Sequence, residues 1–184
     1  MGHGGDVIAE LSTDHREVDT LFDEIDRTAS AEERKRLVDQ LTIELVRHSV
    51  AEEMYLYPAV REQLAGGDAL ADKEIADHAE VEELLKALEV RPVDDQEFDR
   101  LIARLKAEVT SHVQDEETRL FPRLRAECSP TVLDDLGDKI RTAKKVAPTR
   151  PHPIAPDTPP GNKLLAPGAG LVDRARDFVS GRGR

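Results

Sequence analysis

Four of the six histidines in this chain recur in a fixed pattern. Asp14-His15-x-Glu17-Val18-Asp19 is echoed by Asp77-His78-x-Glu80-Val81-Glu82. His48-x-x-x-Glu52-Glu53 is echoed by His112-x-x-x-Glu116-Glu117. On a helix, four residues turn about 40° and rise about 6 Å, so each His-Glu pair projects from one face. Each pair also follows a lone histidine by 33 or 34 residues. Four histidines and two carboxylates could therefore converge. A buried carboxylate without a partner is costly, and a divalent or trivalent cation supplies the missing charge. Two copies of half a site imply a two-metal centre. Its N4O2 donor set suits iron, and less distinctively manganese or zinc.

The elements that must position these groups are helices. Ile8, Leu11, His15, Val18, Phe22 and Ile25 recur at steps of three and four, which predicts a first helix from about Asp6 to Thr28. Ser30-x-x-Glu33 is a capping box for a second, which runs towards Leu64 and closes at Gly66-Gly67. A third starts near Asp68 and ends before Arg91-Pro92. Asp94-x-x-Glu97 resembles the cap of a fourth, which reaches Cys128. Ser129-Pro130 opens a short fifth helix with Leu133, Leu136 and Ile140 as its stripe. The second echo extends over apolar positions, from Leu37 and Leu41 matching Leu101 and Leu105 to Tyr57-Pro58 matching Phe121-Pro122. Each repeat is thus an αα-hairpin. Long helices on short loops predict an all-α, up-down-up-down four-helix bundle with a short fifth helix. Pro58 and Pro122 should make both helices bend, or become irregular, in the turn after each glutamate.

Bulk composition agrees. A hydrophobic content of 39%, 35% charged residues and no Trp suit a helical core of Leu, Val, Ile and Ala. A formal charge of −12 argues against nucleic-acid or anionic-membrane partners. No apolar run approaches the roughly 20 residues of a membrane span. The first residues lack a basic and an apolar segment, which makes a cytoplasmic protein the expectation. One cysteine excludes an intrachain disulfide framework. From Ala147 prolines and glycines accumulate. The expected organisation is a bundle plus fifth helix over 1–146, then a flexible linker over 147–184. That linker ends in a short basic amphipathic helix, Leu171 to Val179, either solvated or docked on the acidic bundle or on a partner.

His15, His48-x-x-x-Glu52, His78 and His112-x-x-x-Glu116 resemble the signature of hemerythrin-like (HHE cation-binding) domains. The resemblance spans roughly residues 6 to 128 and includes the Glu-x-x-x-[Tyr/Phe]-Pro turn after each pair. It implies a bundle holding a non-haem di-iron centre. His15, His48, His78 and His112 would be terminal ligands. Glu52 and Glu116 would bridge two Fe ions beside an oxo or hydroxo group. Oxygen-carrying hemerythrins resemble H-x-x-x-H on the third helix, whereas here Glu82 follows His78 by four. A missing histidine leaves open positions and favours reaction with O2, peroxide or NO over simple carriage. Reversible O2 or NO binding, or iron and redox sensing without turnover, is the alternative.

Several residues carry a second expectation. Glu82 either fills the vacancy or sits at the bundle edge. Glu44 and Glu108, one turn before His48 and His112, could accept the histidines' second N–H. Glu53 and Glu117, about 140° from those histidines, should face solvent or a neighbouring helix. Tyr55, seven residues after His48, could bring a phenol to the metal. Tyr57, matching Phe121, should be packing unless the Pro58 kink redirects it. Cys128 should be inert or a surface thiol, and His3 and His152 incidental.

Overall fold

The computed structural model describes residues 4–152 together with Ala169 and Asp173. Their regular structure is entirely helical, with no strand among them. Helix α1 (Val7–Arg27) starts where the Asp6 carboxylate accepts the Ala9 N–H. Helix α2 (Ala31–Ala51) starts on Ser30, whose hydroxyl accepts the Glu33 N–H, one half of the expected capping box, while the Glu33 carboxylate holds Arg36. A π-helical turn, Glu52–Leu56, then leads into α3 (Tyr57–Gln63). After the left-handed Gly66 (φ 70°) comes α4 (Gly67–Glu89). Helix α5 (Gln96–Asp115) passes through a second π turn, Glu116–Leu120, into α6 (Phe121–Glu127). Helix α7 (Pro130–Val146) is capped by Ser129 and has Pro130 in its first turn. Two boundaries differ from expectation. The α5 cap is Asp95, which accepts from the Glu97 N–H, not Asp94. Gly67 begins a helix rather than ending one.

Helices α1 and α2 form one hairpin and α4 and α5 the other, so the expected bundle is present. The expected irregularity before Pro58 and Pro122 takes a definite form. Each proline occupies the first turn of α3 or α6, where its missing N–H costs nothing. The strain is taken up one turn earlier as a π turn, closed by Tyr57 N–H to Glu52 C=O and by Phe121 N–H to Glu116 C=O. Each π turn begins on a glutamate of the repeat.

The core is split. One apolar cluster gathers Leu11, Leu56, Val60, Leu120 and Leu124 with Leu133, Leu136 and Ile140 of α7. The other gathers Val18, Phe22, Ile25, Leu41, Leu85 and Leu105. The polar residues of the repeat lie between them: His15 between Leu11 and Val18, His48 between Leu45 and Ala51. Helix α7 packs on both α1 and α2. Gly137 permits that approach, because a Cβ there would meet the Gly5 carbonyl oxygen at 2.8 Å.

The chain leaving α7 does not depart at once. Ala147 and Thr149 are buried, and Arg150 pairs with Glu89 on α4. His152, expected to be incidental, donates its backbone N–H to Glu82 (2.7 Å) and pairs its ring with the buried Asp173 (2.8 Å). The basic terminal residues and His3 lie outside the described residues. Among the described residues no helix is long and apolar enough to cross a membrane.

Candidate metal centre

His15, His48, Glu52, His78, His112 and Glu116 all reach the middle of the bundle, each no more than 6% exposed. The histidines gather in two pairs. His15 and His48, from the first hairpin, have ring centres 5.1 Å apart. His78 and His112, from the second, are 4.8 Å apart. Each glutamate lies between the pairs. Glu52 Oε2 is 3.1 Å from His48 Nε2 and 3.3 Å from His78 Nε2. Glu116 Oε2 is 3.3 Å from His15 Nε2 and 3.7 Å from His112 Nε2. Donor atoms of His48, Glu52, His112 and Glu116 fall within 4.8 Å of one another, a cluster that could hold a metal ion.

The outward nitrogens show which way the imidazoles are wired. Nδ1 of His15 meets Glu117 (2.9 Å), that of His48 meets Asp14 (3.2 Å) and that of His78 meets Glu53 (3.0 Å). Nδ1 of His112 lies 3.0 Å from Glu74 and 3.7 Å from Asp77, near both carboxylates but not aligned for a hydrogen bond. A carboxylate only accepts, so the Nδ1 of His15, His48 and His78 carries a proton, which leaves Nε2 of each as the atom that would face a metal. Nε2 of His78 and Nε2 of His112 stand 3.2 Å apart. His15 Nε2, Glu52 Oε1 and Glu116 Oε2 are buried with no hydrogen-bond partner. Buried orphans of this kind are costly, and a cation satisfies all of them together. The donor set therefore fits the metals inferred from the sequence.

Without a cation the cluster attracts protons. Burial alone would depress His48 and His78, but Glu52 and Asp14 around the first, and Glu52 and Glu53 around the second, raise both to about 10. His112 is raised to about 9 against its own burial by Glu116, Asp77 and Glu74. Burial would raise Glu52, yet His48 and His78 hold it well below the usual carboxylate range. A metal ion and these protons compete for the same atoms.

The partners of Nδ1 differ from those expected. Glu44 and Glu108 are near Arg47 (3.8 Å) and Arg104 (3.9 Å) instead. Each imidazole reaches across the bundle, so its outer nitrogen meets a neighbouring helix rather than the previous turn of its own. Glu53 and Glu117 take the second of their two expected places, against a neighbouring helix rather than solvent. They cross between hairpins, Glu53 to His78 and Glu117 to His15. Glu82 does not join the cluster; it accepts the His152 N–H, and burial raises its pKa. Cys128 is buried, and its thiol pKa is raised by that burial, in keeping with an inert group.

The phenol at the centre is Tyr57, not Tyr55. Tyr57 is fully buried, and its hydroxyl lies 3.3 Å from Glu52, 3.4 Å from Glu116 and 3.1 Å from His78 Nε2. In an α-helix, residue i+5 is about 140° away. In a π turn it lies one turn on, so Tyr57 stands over Glu52. Burial and the carboxylates of Glu52 and Glu116 push the phenol well above its usual pKa, so it stays protonated. The repeat partner Phe121 stacks on His15, with ring centres 5.8 Å apart and planes 5° apart. The centre thus has a phenol beside one histidine pair and a phenyl beside the other.

Cations back the outer carboxylates. Lys144 of α7, 5% exposed, pairs with Asp14 and with Glu10 (3.1 Å), itself fully buried. Lys73 bridges Asp77 and Asp115, both at 2.7 Å, and Arg16 holds Glu117 at 2.6 Å. The paired Asp-His of the repeat signalled Asp14 and Asp77. Nothing in the repeat signalled Lys144, which lies beyond it.

The fold and this His/Glu layer define a helical-bundle cation-binding protein. Residues 6–144 match the hemerythrin HHE cation binding domain model, and the chain belongs to that family. It is 28% identical over 167 residues to an uncharacterized hemerythrin-like protein of Schizosaccharomyces pombe, covering 90% of this chain and 82% of the relative. A DNA nickase of Nostoc sp. is 29% identical over 135 residues, 73% of this chain but only 38% of the nickase. The crystal structure of a hemerythrin HHE cation-binding-domain protein from Mycobacterium kansasii superposes with a TM-score of 0.67. Its sequence identity is 24%, and the match covers 77% of this chain and 86% of that one.

Proposed function

We propose that the protein holds two iron ions, with His15 and His48 on one, His78 and His112 on the other, and Glu52 and Glu116 shared. The observation that carries this is the placement of each glutamate oxygen between one histidine of each pair. When bound, such a pair of irons supplies one- and two-electron redox chemistry towards O2, peroxide or NO. The chain's own residues favour turnover over storage. Position 82 is a glutamate engaged by His152, so no fifth histidine closes the site. Tyr57 keeps a protonated hydroxyl against Glu52 and Glu116, a hydrogen-bond donor available to a ligand in that layer. Apolar clusters flank the histidine layer on both sides, which limits the access of bulk water. Reaction with oxidants or NO in oxidative or nitrosative stress, or in iron homeostasis, is the role that follows.

Metal analysis after iron-replete growth and anaerobic purification should find two Fe per chain. Well under one would sink the proposal, and zinc or manganese in its place would redirect it. Mixing reduced protein with O2 then separates turnover from carriage. Rapid irreversible oxidation, or sustained peroxide consumption, supports turnover. A spectral change that reverses on removing O2 supports the carrier or sensor reading.

A further inference from the structure

Two cavities abut at the metal centre. The inner one, about 20 Å3, lies against the four histidines. Its collar repeats the hairpin symmetry. Val18 and Val81 follow His15 and His78 by three residues, and Leu45 and Val109 precede His48 and His112 by three. One side chain from each of α1, α2, α4 and α5 thus forms an apolar ring one helical turn from the histidines, each no more than 6% exposed. The outer cavity, about 30 Å3, lies between α2 and α4 and is lined by Glu53, Glu82 and Val50 among others. Ser49, His78 and Val81 wall both. Ser49, Val50 and Glu82 are half-buried, so the outer cavity reaches the surface. Glu82 is tied back by the His152 N–H.

We propose that these cavities are one entrance. A small uncharged ligand passes between α2 and α4, crosses the threshold of Ser49 and Val81 beside His78, and lodges in the collar. The collar, at about 20 Å3, exceeds the roughly 10–15 Å3 that the centre of one water-sized molecule needs, which suits a ligand of two heavy atoms. Carboxylates at the mouth repel anions, and valine and leucine walls offer an anion no hydrogen bond. The class admitted is a diatomic gas or hydrogen peroxide. The size and charge filter stands on the cavities themselves; its use rests on the metal centre proposed above.

Xenon tests the entrance without any metal. In the full metal-free chain, 129Xe NMR should show saturable binding, and Val81→Phe should abolish it. Ser49→Leu should slow xenon exchange about tenfold by narrowing the threshold. Absence of saturable binding in the unaltered protein, or unchanged exchange in a folded Ser49→Leu, would overturn the entrance. If Ser49→Leu loses its helical circular dichroism, Glu82→Leu at the mouth serves instead, with the same two outcomes. In iron-loaded protein the narrowing substitution should slow NO association by a similar factor at unchanged iron content. A chain without iron would strike the metal reading and leave the xenon result standing.

Discussion

Lys144→Met should destabilise the metal-free protein severely although Lys144 touches no histidine. The lysine is 5% exposed and bonds two carboxylates, Glu10 at 0% and Asp14 at 6%. Methionine fills a similar volume, so packing is conserved and the charge alone is lost. Both carboxylates would then be buried with less compensation. Glu10 keeps the Gly4 N–H at 3.1 Å and Arg141 at 3.5 Å, and Asp14 keeps His48 at 3.2 Å. Removing one partner of a buried ion pair costs about 3–5 kcal/mol, and these surviving contacts place the loss near ~3 kcal/mol. For a chain of this size that is a fall in Tm of about 6–12 °C. Urea denaturation in chelator, followed by circular dichroism, measures it. The double substitution Lys144→Met with Glu10→Gln should recover about 1 kcal/mol or more, since one of the two uncompensated charges is gone. A loss below ~1 kcal/mol in the single variant would refute the account, because it would mean that the two carboxylates had never depended on the lysine.

Other outcomes follow from the same geometry. Asp14→Asn should weaken metal affinity about 10–100-fold by loosening His48, while Glu44→Gln should leave it unchanged; equal effects in a competition titration would contradict the wiring of Nδ1. Tyr57→Phe should retain the metal and cost about 1 kcal/mol of stability, yet slow oxidation of the reduced protein by peroxide; an unchanged stopped-flow rate would show the hydroxyl to be structural only. In the metal-free protein His48, His78 and His112 have folded pKa values of about 10, 10 and 9, above the ordinary histidine value. Their contribution is complete below about pH 6.5 and lost as pH rises through 9 to 10, so chelator-treated protein should lose stability over that window. Loading it with metal at neutral pH should release protons, and a calorimetric titration in buffers of different ionisation enthalpy that finds none would contradict the protonated cluster.

Much of the centre was legible because helical periodicity is a local property. The spacing of His48 and Glu52 fixes their common face whatever packs opposite, and the repeat ties His15 and His78 to the same layer. The bundle followed from stripe and loop lengths, and the cap at Ser30 from a single side chain. Errors arose where angle was counted through an irregular turn. The π turns at Glu52–Leu56 and Glu116–Leu120 insert a residue into the helical count, which carries Tyr57 rather than Tyr55 to the site. A proline announces that a helix must change there, but not which hydrogen bond gives way.

The sequence by itself determined which six side chains meet and that they come as two halves. Only the tertiary structure decided how the halves are joined: Glu53 and Glu117 exchanged between hairpins, Glu82 drawn off to His152, and Lys144 brought from α7 to Asp14. The physical reason is range. Faces of a helix are set by neighbours three and four residues away, whereas a buried carboxylate takes its partner from whichever element packing brings within about 3 Å.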